Sequence, residues 1–262
     1  MPKAYEEIAD DIRRSIREGT RKPGDRLPSE ADLAQHYGRS VPTVQNALRL
    51  LSEEGLIDKR HGRGTFVRRP RTLAVRDNGR HQWEKNRARA PEATRAETGV
   101  TEHDTGLRVD DLVFYARYRE IEAPDELAAV FGVRVGTLLL ERTYRTRYAA
   151  ESAPFSLVTS YLVREMIAAN PDLLDETKEP WPGGTQNQLH TLGIEVDRVE
   201  ERLTARPPTP EEAKALDLPA GTSVILLRKT SYDIRDRVVD VTLVTLPGDR
   251  TELLFTTSLE RW

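Results

Sequence analysis

The stretch SEADLAQHYGRSVPTVQNALRLL (residues 29–51) holds the signals for two short helices and almost nothing between them. Ser29, with Asp32 three residues on, is a variant of the capping box with Asp in place of Glu. Leu33, Ala34 and Tyr37 give the first helix a buried face, and Gly38 suits the left-handed residue that ends it. Only Arg39 separates that glycine from Ser40, the next capping candidate. With Ser40 as N-cap, Pro42 falls in the first turn, where a backbone N–H has no intrahelical partner to lose. Val44, Ala47, Leu48 and Leu51 then face inward, while Thr43, Gln45, Asn46 and Arg49 lie on other faces. Two helices joined by so short a turn predict a helix-turn-helix, whose second member can lie in the DNA major groove.

The flanking segments extend this unit. Upstream, Tyr5, Ile8, Ile12 and Ile16 recur every three to four residues as one apolar stripe, and Gly19 with RKPGDRLP (residues 21–28) closes that helix. Downstream, Leu56–Arg60 and Thr65–Arg68 read as short strands around His61-Gly62-Arg63-Gly64, whose glycines permit positive φ. A basic hairpin behind a recognition helix is a wing, and Arg63 at its tip can meet a minor groove or phosphates.

Charge divides the chain in the same place. The 262 residues carry a formal net charge of −3, yet residues 1–95 balance at +7 and residues 96–262 at −10. A basic part joined to an acidic part points to a polyanionic partner for the first alone. No apolar run approaches the roughly 18–20 residues that span a bilayer, and the N-terminus has no signal-peptide pattern, so the cytoplasm is the expected location. Cysteine is absent and the five histidines are scattered, which predicts no disulfide, no metal site and no cofactor. No nucleophile–base pair or paired-carboxylate motif suggests a catalytic site.

Residues 70–104 lack clean periodicity and read as a linker, with a short helix near Glu92–Thr98 and Trp83 as a packing anchor. Beyond them the chain repeats itself. Residues 125–148 align without a gap on 210–233, a spacing of 85, so that Gly136-Thr137 meets Gly221-Thr222 and Phe131 meets Leu216. Each copy reads as a short helix, a tight turn and a hairpin. Two copies pairing into one antiparallel sheet with helices on a face make an α+β domain.

The pieces PGDRLPSEADLAQHYGRS, TVQNALRLLSEEGLI and GRGTFV resemble the winged helix-turn-helix of the GntR family of bacterial transcription regulators, over residues 4–68. The later pieces VGTLLLERTYRTR, PFSLVTSYLV and LLRKTSYDIRDRVVDVTLVTLPGDR resemble the UTRA effector-binding domain of the HutC subfamily, which has a chorismate-lyase-like fold. The resemblance implies three regions: a mainly α DNA-binding domain at 1–69, a linker at 70–104, and an effector-binding and dimerisation domain at 105–262. It places DNA contacts on Ser29, Ser40, Thr43, Gln45, Arg49, Arg63, Gly64 and Thr65, with Asn46 beside them. Many relatives have arginine where this chain has Ala31 and Gln45, so an altered base preference is expected, an amide suiting adenine N6/N7. Effector contacts would fall on Arg142, Ser160, Tyr161 and Asp240, with Tyr144 where a second arginine is common and Val158 where Glu is common. The implied function is a homodimeric repressor that reads an inverted repeat and answers to a small molecule of unidentified kind. Two alternatives remain: a DNA-binding plasmid-maintenance or structural protein whose C-terminal domain only dimerises, and a chorismate-lyase-like enzyme.

Overall fold

The computed structural model describes residues 3–60 and 62–260, so His61 lies outside the described residues. Two compact units result, Met1–Arg71 with Pro207–Ser223, and Thr72–Arg206 with Val224–Trp262.

In the first unit, α1 (Ala4–Arg17), α2 (Glu30–Tyr37) and α3 (Val41–Glu53) close around one core. Ile8, Ile12, Leu33, Val44, Ala47 and Leu51 are its buried centre, joined by Leu27, Ile57 and Val67. The caps take the form that the sequence predicts. Ser29 Oγ accepts from the Asp32 N–H at 3.1 Å while Asp32 accepts from the Ser29 N–H at 3.2 Å. Gly38 closes α2 at φ +60°, and Ser40 caps α3 with Pro42 in the first turn. The wing is β1 (Ile57–Arg60) paired antiparallel with β2 (Gly64–Val67), a hairpin one residue offset from the expected spans.

The second unit begins with the stretch read as a linker, and there it is packed structure. β3 (Ala74–Asp77) precedes three short helices, α4 (Arg80–Arg87), α5 (Glu92–Glu97) and α6 (Val100–Thr105). Arg80 forms two hydrogen bonds to Asp104, at 3.1 and 2.8 Å, both residues buried, which ties α4 to α6. Trp83 stacks against His103 with ring centroids 4.3 Å apart.

There follow β4 (Leu112–Glu122), α7 (Asp125–Phe131), β5 (Leu138–Tyr148), β6 (Leu157–Val163), α8 (Arg164–Ile167), α9 (Gly184–His190) and β7 (Val196–Arg206). After α10 (Pro210–Ala215) come β8 (Val224–Asp233), β9 (Val238–Pro247) and β10 (Thr251–Leu254), the last parallel to β3. Six strands form one antiparallel sheet in the order β4-β5-β6-β9-β8-β7. This order is symmetric about the β6–β9 seam, as a repeated strand-helix-hairpin unit requires. Backbone conformation repeats as well: Gly136 and Gly221 both have φ +82°, and Gly132 and Asp217 have φ +66° and +48°. Helices cover both faces of the sheet rather than one. Ala128 and Phe131 of α7 pack on Leu139 and Val241, while Ile167 of α8 and Leu189 of α9 pack on Leu140, Leu162 and Val239.

The second copy's helix segment, Pro207–Ser223, belongs to the first unit. There Arg71 donates to the Leu216 carbonyl at 2.9 Å. Gly221 lies so close to the Glu53 carbonyl that a Cβ would come within 2.6 Å of that oxygen.

Candidate functional site

α3 presents its polar side because its apolar side is consumed by the core. Gln45, Asn46 and Arg49 are exposed, while Val44, Ala47, Leu48 and Leu51 are buried. Gln45 Nε2 donates to Glu30 at 2.7 Å, and Lys59 of the wing sits 2.8 Å from the other Glu30 oxygen. The Lys59 hydrogen bond, then that of Gln45, holds the Glu30 carboxyl below its usual range. Arg49 pairs with Glu53 at 2.7 Å, one helical turn on. Ser40 Oγ and Thr43 Oγ1 are 2.8 Å apart at the start of α3, and Ser29 bonds to Asp32. Arg63 is exposed at the wing, Gly64 is half-buried at φ +113°, and Thr65 is buried, its carbonyl receiving the Leu27 N–H at 2.8 Å. Exposed donors on α3 and the wing are the equipment for base and phosphate contacts.

The second unit contains a cavity of about 700 Å³. One sheet face supplies Phe114, Tyr144, Ser160, Lys229, Thr242 and Val244, while residues of α4–α6 and of the turn before α9 complete the lining. Immediately behind the lining, Arg142 is wholly buried and donates to Gln188 Oε1 at 2.6 Å and Ser160 Oγ at 2.7 Å. Strand register explains the grouping, since Arg142 sits opposite Ser160, and Ser160 opposite Thr242. Asp240, also wholly buried, accepts from Ser160 at 2.8 Å and lies 3.1 Å from Lys229 and 3.8 Å from Arg142. Burial favours its neutral form, but the Lys229 and Arg142 charges and the Ser160 hydrogen bond hold the carboxyl below its ordinary value. Arg142 Nε has no hydrogen-bond partner among the described residues.

Of the residues the sequence singles out here, Tyr144 and Ser160 line the cavity, and Arg142 and Asp240 stand one layer behind. Tyr161 does not join them. Successive strand residues point to opposite faces, so Tyr161 packs under α7 beside Val163 and Ile121.

Sequence reasoning passed over the other half of the site. Glu179 accepts hydrogen bonds from Tyr144 at 2.9 Å, from Gln188 Nε2 at 3.0 Å, and from the Tyr118 hydroxyl. Gln186 and Asn187 donate to the carbonyls of His81 and Ala88, at 2.9 and 2.7 Å, fastening α9 to α4. The available signal was TQNQ (residues 185–188), three successive side-chain amides after Gly183-Gly184. Amides clustered in a short helix are expected to be exposed, yet all three here are buried. Burial pushes the Tyr118 hydroxyl up to about 12 and that of Tyr144 well above its usual value, so both are protonated donors at neutral pH. Among the described residues no group of histidines and carboxylates is arranged to hold a metal ion.

A helix-turn-helix with a wing, on one chain with a cavity-bearing antiparallel sheet, is the architecture of a class of transcription regulator. Residues 4–67 match the bacterial regulatory proteins of the gntR family, and residues 115–252 match the UTRA domain. The chain belongs to the GntR family, in its UTRA-containing HutC type, and is a DNA-binding regulator rather than an enzyme. It is 29% identical over 255 residues to the HTH-type transcriptional regulator SCO4628 of Streptomyces coelicolor, covering 95% of this chain and 91% of the relative. It is 28% identical over 229 residues to the HTH-type transcriptional repressor NagR of Bacillus subtilis, covering 87% and 84%. Among solved structures, a GntR-family transcriptional regulator superposes with a TM-score of 0.61 at 23% identity over 98% of both chains, a likeness of fold. No helix among the described residues is long and apolar enough to cross a membrane.

Proposed function

We propose that the protein is a cytoplasmic repressor that binds an inverted-repeat operator as a homodimer and changes its DNA affinity when a small molecule occupies the cavity. The observation that carries this reading is α3, capped by Ser40 and turned so that Gln45, Asn46 and Arg49 face solvent beside the Arg63 wing. Ser29, Ser40 and Thr43 lie at the helix starts, where N–H groups and hydroxyls meet phosphates. Gly64 and Thr65 shape the wing from within. Ser160, Tyr144, Arg142 and Asp240 build the polar end of the effector site. NagR and the histidine utilization repressor of Klebsiella aerogenes are repressors by name, which supports that direction of control. Occupancy matters to DNA only through different affinities for the DNA-competent and DNA-incompetent states.

The test is binding of purified full-length protein to the promoter region beside its own gene. A protected inverted repeat is expected, with affinity that falls steeply as salt rises, because phosphate contacts release counterions. Equal affinity for random DNA at the same salt would remove the sequence-specific reading.

A further inference from the structure

The polar end of the cavity already contains an anion, the side chain of Glu179. One of its oxygens receives the hydroxyls of Tyr118 and Tyr144 and the amide of Gln188, and the other receives the Trp181 N–H at 2.7 Å. Such converging donors are what a bound carboxylate or phosphate would otherwise recruit. The neighbouring cations also face partners, through both terminal nitrogens of Arg142 though not its Nε. Arg142 is engaged by Ser160, Gln188 and Asp240, and Lys229 by Asp240. Two cations therefore stand with two carboxylates, leaving no surplus positive charge at that end. Away from it the floor is apolar, formed by Phe114, Val158, Leu227, Val244 and Leu246.

Four further guanidiniums line the cavity. Arg76 and Arg80 are paired with carboxylates, at 4.0 and 2.8 Å from Asp104 and, for Arg76, 3.7 Å from Glu201. The other two point at backbone oxygen. Arg87 donates to the Thr94 carbonyl, and Arg95 to those of Ala90 and Pro182 at 2.7 and 2.9 Å. The buried Glu84 shares that side of the cavity. A second anion placed against Glu179 would meet like charge, whereas a donor reaching Oε2, which accepts one hydrogen bond against three at Oε1, would gain a charge-assisted bond.

Resting on the reading of this cavity as the effector site, we propose that it takes a molecule with an apolar body and an uncharged or cationic hydrogen-bond donor aimed at Glu179. Carboxylates and phosphates are rejected at that end. The test measures binding of three matched probes, 2-phenylethylamine, 2-phenylethanol and phenylacetate, to the full-length protein by ligand-observed NMR titration. The amine should bind at least about tenfold more tightly than phenylacetate, with the alcohol between them. Glu179→Gln should erase the amine's advantage. Phenylacetate binding the unaltered protein as tightly as the amine would overturn the proposal without any variant, and would hand the cavity to Arg87 and Arg95. Retention of the full ratio in Glu179→Gln, or no binding of any probe, would overturn it too. These titrations contain no DNA, so their failure is separate from failure of the effector reading, which shows as operator affinity indifferent to cavity occupancy.

Discussion

Glu30 takes one of the two N–H donors of the Gln45 amide and so fixes which way the amide is turned. A carboxylate only accepts, so the nitrogen faces Glu30, and the oxygen and one N–H remain for DNA. An acceptor matches the exocyclic amine of cytosine or adenine, and the bidentate adenine contact expected of an amide needs the N–H that Glu30 does not take. Gln45→Ala should flatten preference at one base pair in each half-site by roughly 1–3 kcal/mol, read by selection from a randomised operator. An unchanged selection profile would leave Gln45 a solvated bystander. At this scale the sequence was legible wherever spacing along one strand settles which face a residue occupies. Arg142 and Tyr144 are two apart and share a face, whereas adjacent Ser160 and Tyr161 part company by the same alternation. Glu179 was not legible, because it reaches Tyr118 and Tyr144 across 61 and 35 residues of chain from a segment without periodicity.

Among the elements, α1 to α3 could be read because their caps and stripes are local. Ser29 and Ser40 each act on an N–H three residues away, and the core face recurs within a turn. Ser40→Ala should lower the protection of the first α3 amides against hydrogen exchange by about 1 kcal/mol, and Ser40→Asp should retain it. Equal protection in the alanine variant would mean that packing of Val44 and Ala47 alone fixes the helix start. β3 and β10 escaped for the opposite reason. Ala74 pairs with Thr251, and neither four-residue strand carries enough alternation to announce itself. The helices α4 and α6 hold together through Arg80–Asp104, a buried ion pair that looks like solvated charge in a sequence.

For the chain as a whole, half-buried Glu201 and wholly buried Asp240 are expected to set the acid limit. Burial raises Glu201, but the His81 hydrogen bond and the charges of His81, Arg76 and Arg80 bring it below its ordinary value of 4.5, and Asp240 is lowered by Lys229 and Arg142. A carboxyl with a depressed folded-state pKa contributes its full stability above the unfolded value and loses it as pH falls through the folded one. The melting temperature should therefore hold level down to the unfolded-state value and drop as pH falls from there through the folded-state one, with a shallower acid limb in Glu201→Gln. A limb of the same steepness in that variant would locate the acid-sensitive group elsewhere. The repeat, finally, imposes a symmetry that the side chains break. The position equivalent to Arg142 in the second copy, 85 residues on, is Leu227, which lines the cavity floor. At this pair of positions, two halves of matching strand order thus place a buried cation on one side of the pseudo-dyad and a hydrocarbon on the other. A guest entering such a chamber has one preferred way round, and its direction is written in substitutions between the halves rather than in the shape of the frame.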